Sequence, residues 1–266
     1  MGRHRHAPRE RQDIGAVSLH ADDPLPQGGG VSSARAIAGV DGCRAGWYAV
    51  QLRPGHGEIE GTVHARFEQL LQACPPPACV AVDIPIGLGE SGERACDQAA
   101  RERLGARASS VFAAPLRGVL GAAGHEEASR RRRAIEGKGM SIQAYNILRK
   151  VEEVDAALRA SPAQAQRVHE THPEVCFLQM NAGQPLAHGK KTAAGRALRL
   201  ALLAPHFPGQ AERLLDEHPR RDVQADDVLD ALACLWTAQR LVRAQALQLP
   251  AVPPLDACGL RMAIHC

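Results

Sequence analysis

The residues of this chain whose types and places best suit chemistry are carboxylates that interrupt apolar runs. Asp41 ends the run Ile37, Ala38, Gly39, Val40, and Asp83 ends the run Cys79, Val80, Ala81, Val82. Burying a carboxylate costs several kcal/mol unless it is paired or binds a metal. Asp-Gly is also a common turn dipeptide, so Asp41 reads equally as a turn cap or as a site residue. Two acids at two strand ends in one α/β domain point to one edge of one sheet, where such folds place their sites. A third group, Asp226, Asp227 and Asp230, sits near the start of an apolar helical segment, 223–244. Asp226 and Asp230 are i, i+4, and Asp227 and Asp230 are i, i+3, so either pair shares a helix face. Acids at a helix start are ordinarily caps and dipole partners. Asp230, between Leu229 and Ala231-Leu232, lies deeper than a cap needs to be. An acid pair beside an apolar stripe suits metal binding.

Basic groups supply a second set of candidates. Arg107, with Ser109 and Ser110, is placed to hold a phosphate or to form a solvated loop with a helix cap. Lys190 and Lys191 precede a helical segment, 193–203, where ammonium groups and free backbone N–H groups meet an anion or simply face water. This is not a Walker A loop, because Gly183 is one residue too far away and Lys191 stands where Ser or Thr should follow the lysine. In the β-like stretch 166–172, Glu170 and His172 fall on one side. The sequence His169-Glu170-Thr171-His172 lacks the HExxH spacing of a zincin. Glu174, in the first turn after Pro173, reads as a helix-dipole partner. The run Arg130 to Arg133 suits a solvated face or mobile loop, or a path along a phosphate backbone.

The elements that must carry these groups are readable from periodicity. Runs at 37–41 and 47–52 flank a tight turn over 42–46 and predict a β-hairpin, with a third strand over 57–64. Phe67, Leu70, Leu71 and Cys74 follow helical spacing, and the fourth strand ends at Asp83. Helices are expected over 93–104, 141–158 and 173–180, and an edge strand over 260–265.

Composition narrows the function classes. The 266 residues suffice for one large α/β domain or two small ones. A net charge of +3 gives no broad electrostatic case for nucleic acid, and 3% aromatic residues disfavour a base-stacking platform for single strands. No apolar run is long enough to span a membrane. The eight cysteines form no CxxC pair, which disfavours zinc ribbons and thioredoxin-like chemistry and fits reduced thiols in a cytoplasm. Residues 1–33 show no hydrophobic period and read as a disordered tail, leaving one domain over 34–266.

Several segments together resemble one family. They are GVDGCRAGW, VAVDIPIGL, the spacing of Arg94, Asp97 and Arg101, LGARASSVFAAP, SIQAYNILRKVEEVD, HETHPEVCF, KKTAAGR and DDVLDALACLWTA. In this order they resemble the "domain of unknown function 429" family, commonly described as predicted nucleases. The resemblance implies an α/β, ribonuclease H-like mixed sheet whose first strands are antiparallel hairpins, flanked by helices, with a helical insertion at about 90–165. It implies a metal-dependent nuclease that hydrolyses phosphodiester bonds with two ions, Mg²⁺ or Mn²⁺. Asp41, Asp83 and Asp230 would then be catalytic ligands, with Asp227 and Glu170 as further metal candidates, and Arg107, Lys190 and Lys191 would meet a nucleic acid substrate. Two other readings stand beside this. One is a non-catalytic ligand- or partner-binding protein on the same fold. The other is an actin-like or sugar-kinase-type phosphotransferase, which needs a duplicated domain and an adenosine loop; the sequence shows no internal repeat.

Overall fold

A computed structural model describes residues 35–53, 55 and 57–266. The expected tail lies outside the described residues. Five strands form a mixed sheet: β1 (Ile37–Cys43), β2 (Gly46–Leu52), β3 (Ile59–His64), β4 (Cys79–Val82) and β5 (Val168–Glu170), in the order β3-β2-β1-β4-β5. The first three pair antiparallel, as the tight turn between β1 and β2 dictates. β4 joins β1, and β5 joins β4, in parallel.

The helices are α1 (Phe67–Leu71), α2 (Ala95–Leu104), α3 (His125–Glu136), α4 (Ile142–Asn146), α5 (Leu148–Ala160), α6 (Pro162–Arg167), α7 (Pro173–Met180), α8 (Ala193–Leu203), α9 (Gln210–Glu217) and α10 (Ala225–Val242). Five of them, α2 to α6, lie between β4 and β5, where the sequence suggested an insertion. The Arg130–Arg133 run falls within α3. Local chemistry sets several starts. Ser141, Ser161 and Thr192 accept backbone N–H groups at the starts of α4, α6 and α8, and Pro occupies the first turn of α6 and α7.

The strand period of two sorts side chains onto two cores. Ile37, Val50, Cys79 and Ala81 pack with α2, α7, α8, α9 and α10. Ala38, Val40, Val80 and Val82 pack on the other face with Phe67 and Leu70 of α1 and Val151 and Val154 of α5. α10 lies across β1, β2 and β4 and buries Val228, Leu229, Leu232, Leu235 and Trp236. Each large side chain so buried contributes roughly 1.5–3 kcal/mol. Its close approach to β1 depends on Gly39. A Cβ there would stand 2.0 Å from the Leu235 nitrogen and 2.2 Å from the Ala231 oxygen.

Two expectations change. The helix expected over 141–158 is broken at Ile147, where α4 ends and α5 begins. Neither Pro nor Gly marks that break. The strand expected over 260–265 shortens to β7 (Ile264–His265), which pairs with β6 (Gln248–Leu249) in a separate ribbon and meets the end of β5 through the Thr171–His265 bridge and a 3.2 Å hydrogen bond between His265 Nδ1 and the Glu170 carbonyl. No described helix is long and apolar enough to cross a membrane.

Candidate active site

Asp41 and Asp83 are neighbours because β1 and β4 are parallel and in register. Val40 pairs with Val82, and the Asp83 N–H donates to the Val40 carbonyl at 3.0 Å. Both acids follow the alternation of Gly39 and Ala81, so both face α10. Asp230 comes down from the second turn of that helix and is 2% exposed. The missing side chain of Gly39 lets α10 lie close enough to bring Asp230 over the strand ends. Asp41, Asp83 and Asp230 line one cavity of about 480 Å³.

The electrostatics follow from that convergence. Burial, then the charges of Asp83 and Asp230, push the Asp41 carboxyl well above the usual carboxylate range. Burial raises Asp83 too, against the attraction of His172 and Lys190. Asp230 is pushed up to about 6 by burial, with Lys190 opposing. The Asp41 Oδ1 accepts the Gly42 N–H at 2.7 Å, which fixes the carboxylate at the turn. One side chain therefore bonds the backbone of the turn and lines the cavity.

Lys190 is the cation nearest this group. Its Nζ lies 2.6 Å from Asp230 Oδ2 and 3.8 Å from Asp226 Oδ2. Burial alone would lower the ammonium pKa, but Asp230, Asp41 and Asp83 together hold it above the usual lysine range. Lys190 thus turns inward to the acids, whereas Lys191 is exposed and does not line the cavity. Asp227 serves its own helix: it accepts the Gln224 N–H at 2.8 Å in a capping box at the start of α10. Arg107, in the 3₁₀ turn Gly105–Ser110, lines the cavity with its Nη2 3.5 Å from Glu174 Oε2.

Glu170 lies at the wall of the same cavity but belongs to a second network. It is in register with Val82, whose side chain faces away from α10. Its carboxylate receives Arg94 Nη1 at 2.9 Å and Nη2 at 2.7 Å, and the Ile86 N–H at 2.7 Å. Arg94 also bonds Asp97. Cys96, Asp97 and Glu170 offer ligand atoms within 4.8 Å of one another, a group that could hold a metal ion; among the described residues no other such trio includes Asp41, Asp83 or Asp230. The Arg94 guanidinium already stands between the two carboxylates of that trio, so a cation there is supplied by the chain itself.

Several wall residues carried little signal. Glu174, read as a dipole partner, is buried and paired with Arg199 of α8; a lone Arg between Leu198 and Leu200 was the available clue. Lys150 donates to the Gly46 carbonyl and lies 4.6 Å from the Trp47 ring centroid. It lines the cavity from the first turn of α5. His172 has its Nε2 3.3 Å from the Ser110 carbonyl, and Phe112 stands at the wall with its ring half in solvent.

Among curated proteins and solved structures, neither search finds a match to this chain. A family model described as a protein of unknown function (DUF429) matches residues 39–255, most of the chain, and the protein belongs to that family.

Proposed function

We propose that this protein is a divalent-metal-dependent phosphodiesterase acting on nucleic acid, built on a ribonuclease H-like sheet. The observation that carries the reading is the meeting of Asp41, Asp83 and Asp230, from three separate elements, in one cavity. The strand order β3-β2-β1-β4-β5, with three antiparallel strands followed by two parallel ones, supports the fold assignment. The donor set fits the ion. It is made of carboxylate oxygens, which hard cations prefer. Burial, and for Asp41 also the charges of Asp83 and Asp230, raises these acids' pKa values, and the group has already drawn one cation, Lys190, onto Asp230.

Asp41, Asp83 and Asp230 would hold Mg²⁺ or Mn²⁺. The ion, when bound, supplies Lewis acidity and a water of lowered pKa. Lys190, Arg107 and Lys150 orient a phosphate from the remaining walls, and the burial of the acids strengthens every interaction among them. The test is a cleavage assay on single-stranded and duplex DNA and RNA with Mg²⁺, Mn²⁺ or EDTA. Metal-dependent cleavage lost in Asp41→Asn supports the reading; cleavage that survives both EDTA and Asp41→Asn removes it. One observation favours a non-catalytic ligand-binding protein instead: the Lys190–Asp230 pair partly neutralises the acids without any ion. Ligand binding with neither metal uptake nor cleavage would select that reading.

A further inference from the structure

The chain has eight aromatic residues, counted as Phe, Trp and Tyr. Trp47, Tyr48, Phe67, Phe177, Phe207 and Trp236 are buried in the cores, and Tyr145 is half-buried. Phe112 alone is exposed, at 53%. It does not lie on an arbitrary surface: it lines the cavity that contains Asp41, Asp83 and Asp230. Leaving a phenyl ring half in water forgoes burial that would stabilise the fold. The same walls bring the half-buried Arg107 side chain and the exposed amide of Asn146. An aromatic face, a guanidinium and a free amide are the groups that recognise an unstacked base and its phosphate.

We infer that the cavity receives one unpaired nucleotide of a single strand, with its base on Phe112 and its phosphate toward Arg107. This rests on the phosphodiesterase reading and names the substrate form. Size supports it. A cavity of about 480 Å³ belongs to the roughly 300–1,000 Å³ class that encloses one small molecule. In a duplex the base faces are stacked on their neighbours, so none is free to lie on Phe112 without unpairing. The scarcity of aromatics argues against a platform that tracks a long strand, whereas one ring serves one base.

The experiment is equilibrium binding of a labelled, 5′-phosphorylated octathymidylate and of a blunt duplex of the same length. The full chain is used, once with EDTA and once with Ca²⁺. The single strand is expected to bind at least tenfold tighter than the duplex. Phe112→Ala should weaken the single strand about tenfold and leave the duplex unchanged. Phe112→Trp should restore affinity, and its fluorescence should be quenched on binding. Because the ring is exposed, both variants should melt with the parent protein. Arg107→Ala should lower the salt slope by about one. Equal affinity for strand and duplex, no binding of the strand under either condition, or unchanged binding by Phe112→Ala overturns the inference. The phosphodiesterase reading fails separately. Phe112-dependent binding without metal-dependent cleavage removes that reading alone, and cleavage without strand preference removes this inference alone.

Discussion

The ammonium of Lys190 lies 2.6 Å from Asp230 Oδ2, so the acid cluster carries a cation supplied by its own chain. Lys190 therefore competes with a metal for the same carboxylates. Lys190→Met should cost about 1 kcal/mol of stability in EDTA, a modest figure because the lysine side chain is 39% exposed and solvent screens the pair. The same variant should bind Mn²⁺ several-fold more tightly. Lys191→Met should change neither quantity. Denaturant melts and metal titrations on both variants check this; a Lys190 variant with weaker Mn²⁺ binding would make the lysine a partner of the ion, not its rival.

Arg94 is the hub of the second acid network. It is buried with Asp97 and Glu170, and its removal leaves two carboxylates without a counter-charge. Arg94→Met should cost about 3–5 kcal/mol, read from urea melts. A loss under 1 kcal/mol, with retained metal uptake at Cys96, Asp97 and Glu170, would mean that an ion replaces the guanidinium there.

Gly39 sets the spacing between β1 and α10. Gly39→Ala drives a methyl group into the Ala231 and Leu235 backbone and should cost about 3 kcal/mol through overpacking. It should also displace Asp230 from Asp41 and blunt any metal-induced rise in Tm. Unchanged stability would show that α10 shifts freely over the sheet.

These acids were legible for a physical reason. Asp41, Asp83 and Asp230 each interrupt an apolar run, and sheet register and helix period turn that pattern into a place. Their partners were not legible. Lys190 and Asp230 are 40 residues apart in sequence, and Lys190 lies in an aperiodic turn, so nothing local told an inward lysine from an outward one. For the same reason Lys190 and Lys191 read alike, although one faces the acids and the other faces water. Glu170 and Asp83 end similar strands, but the alternation of β5 follows Val82, not Asp83. That difference is a matter of register, which a single strand does not reveal. The break at Ile147 has no Pro or Gly to announce it.

His169 gives a pH dependence away from the acids of α10. Burial, then the neighbouring His265 and Arg261, lowers its pKa to about 4, whereas an unfolded histidine titrates near 6.5. Between those values the unfolded chain binds the extra proton. Stability therefore rises with pH through that window and is lost as pH falls from about 6.5 toward 4. His169→Gln should remove about 2 kcal/mol of that loss, with half-burial of the ring allowed for. Parallel melts of both proteins at pH 7 and pH 5 check the sign; an identical acid response would exclude His169.

The central claim, that Asp41, Asp83 and Asp230 form a divalent-cation site, is tested most directly by calorimetric titration of Mn²⁺ into the full chain at pH 7.5. The account predicts saturable binding and a raised Tm in the parent protein, both retained in Cys96→Ser. It predicts at least a tenfold loss of affinity in Asp41→Asn, whose metal-free Tm should equal or exceed the parent's because a buried, repelled charge is gone. Absence of saturable binding, or equal binding by Asp41→Asn, would contradict it.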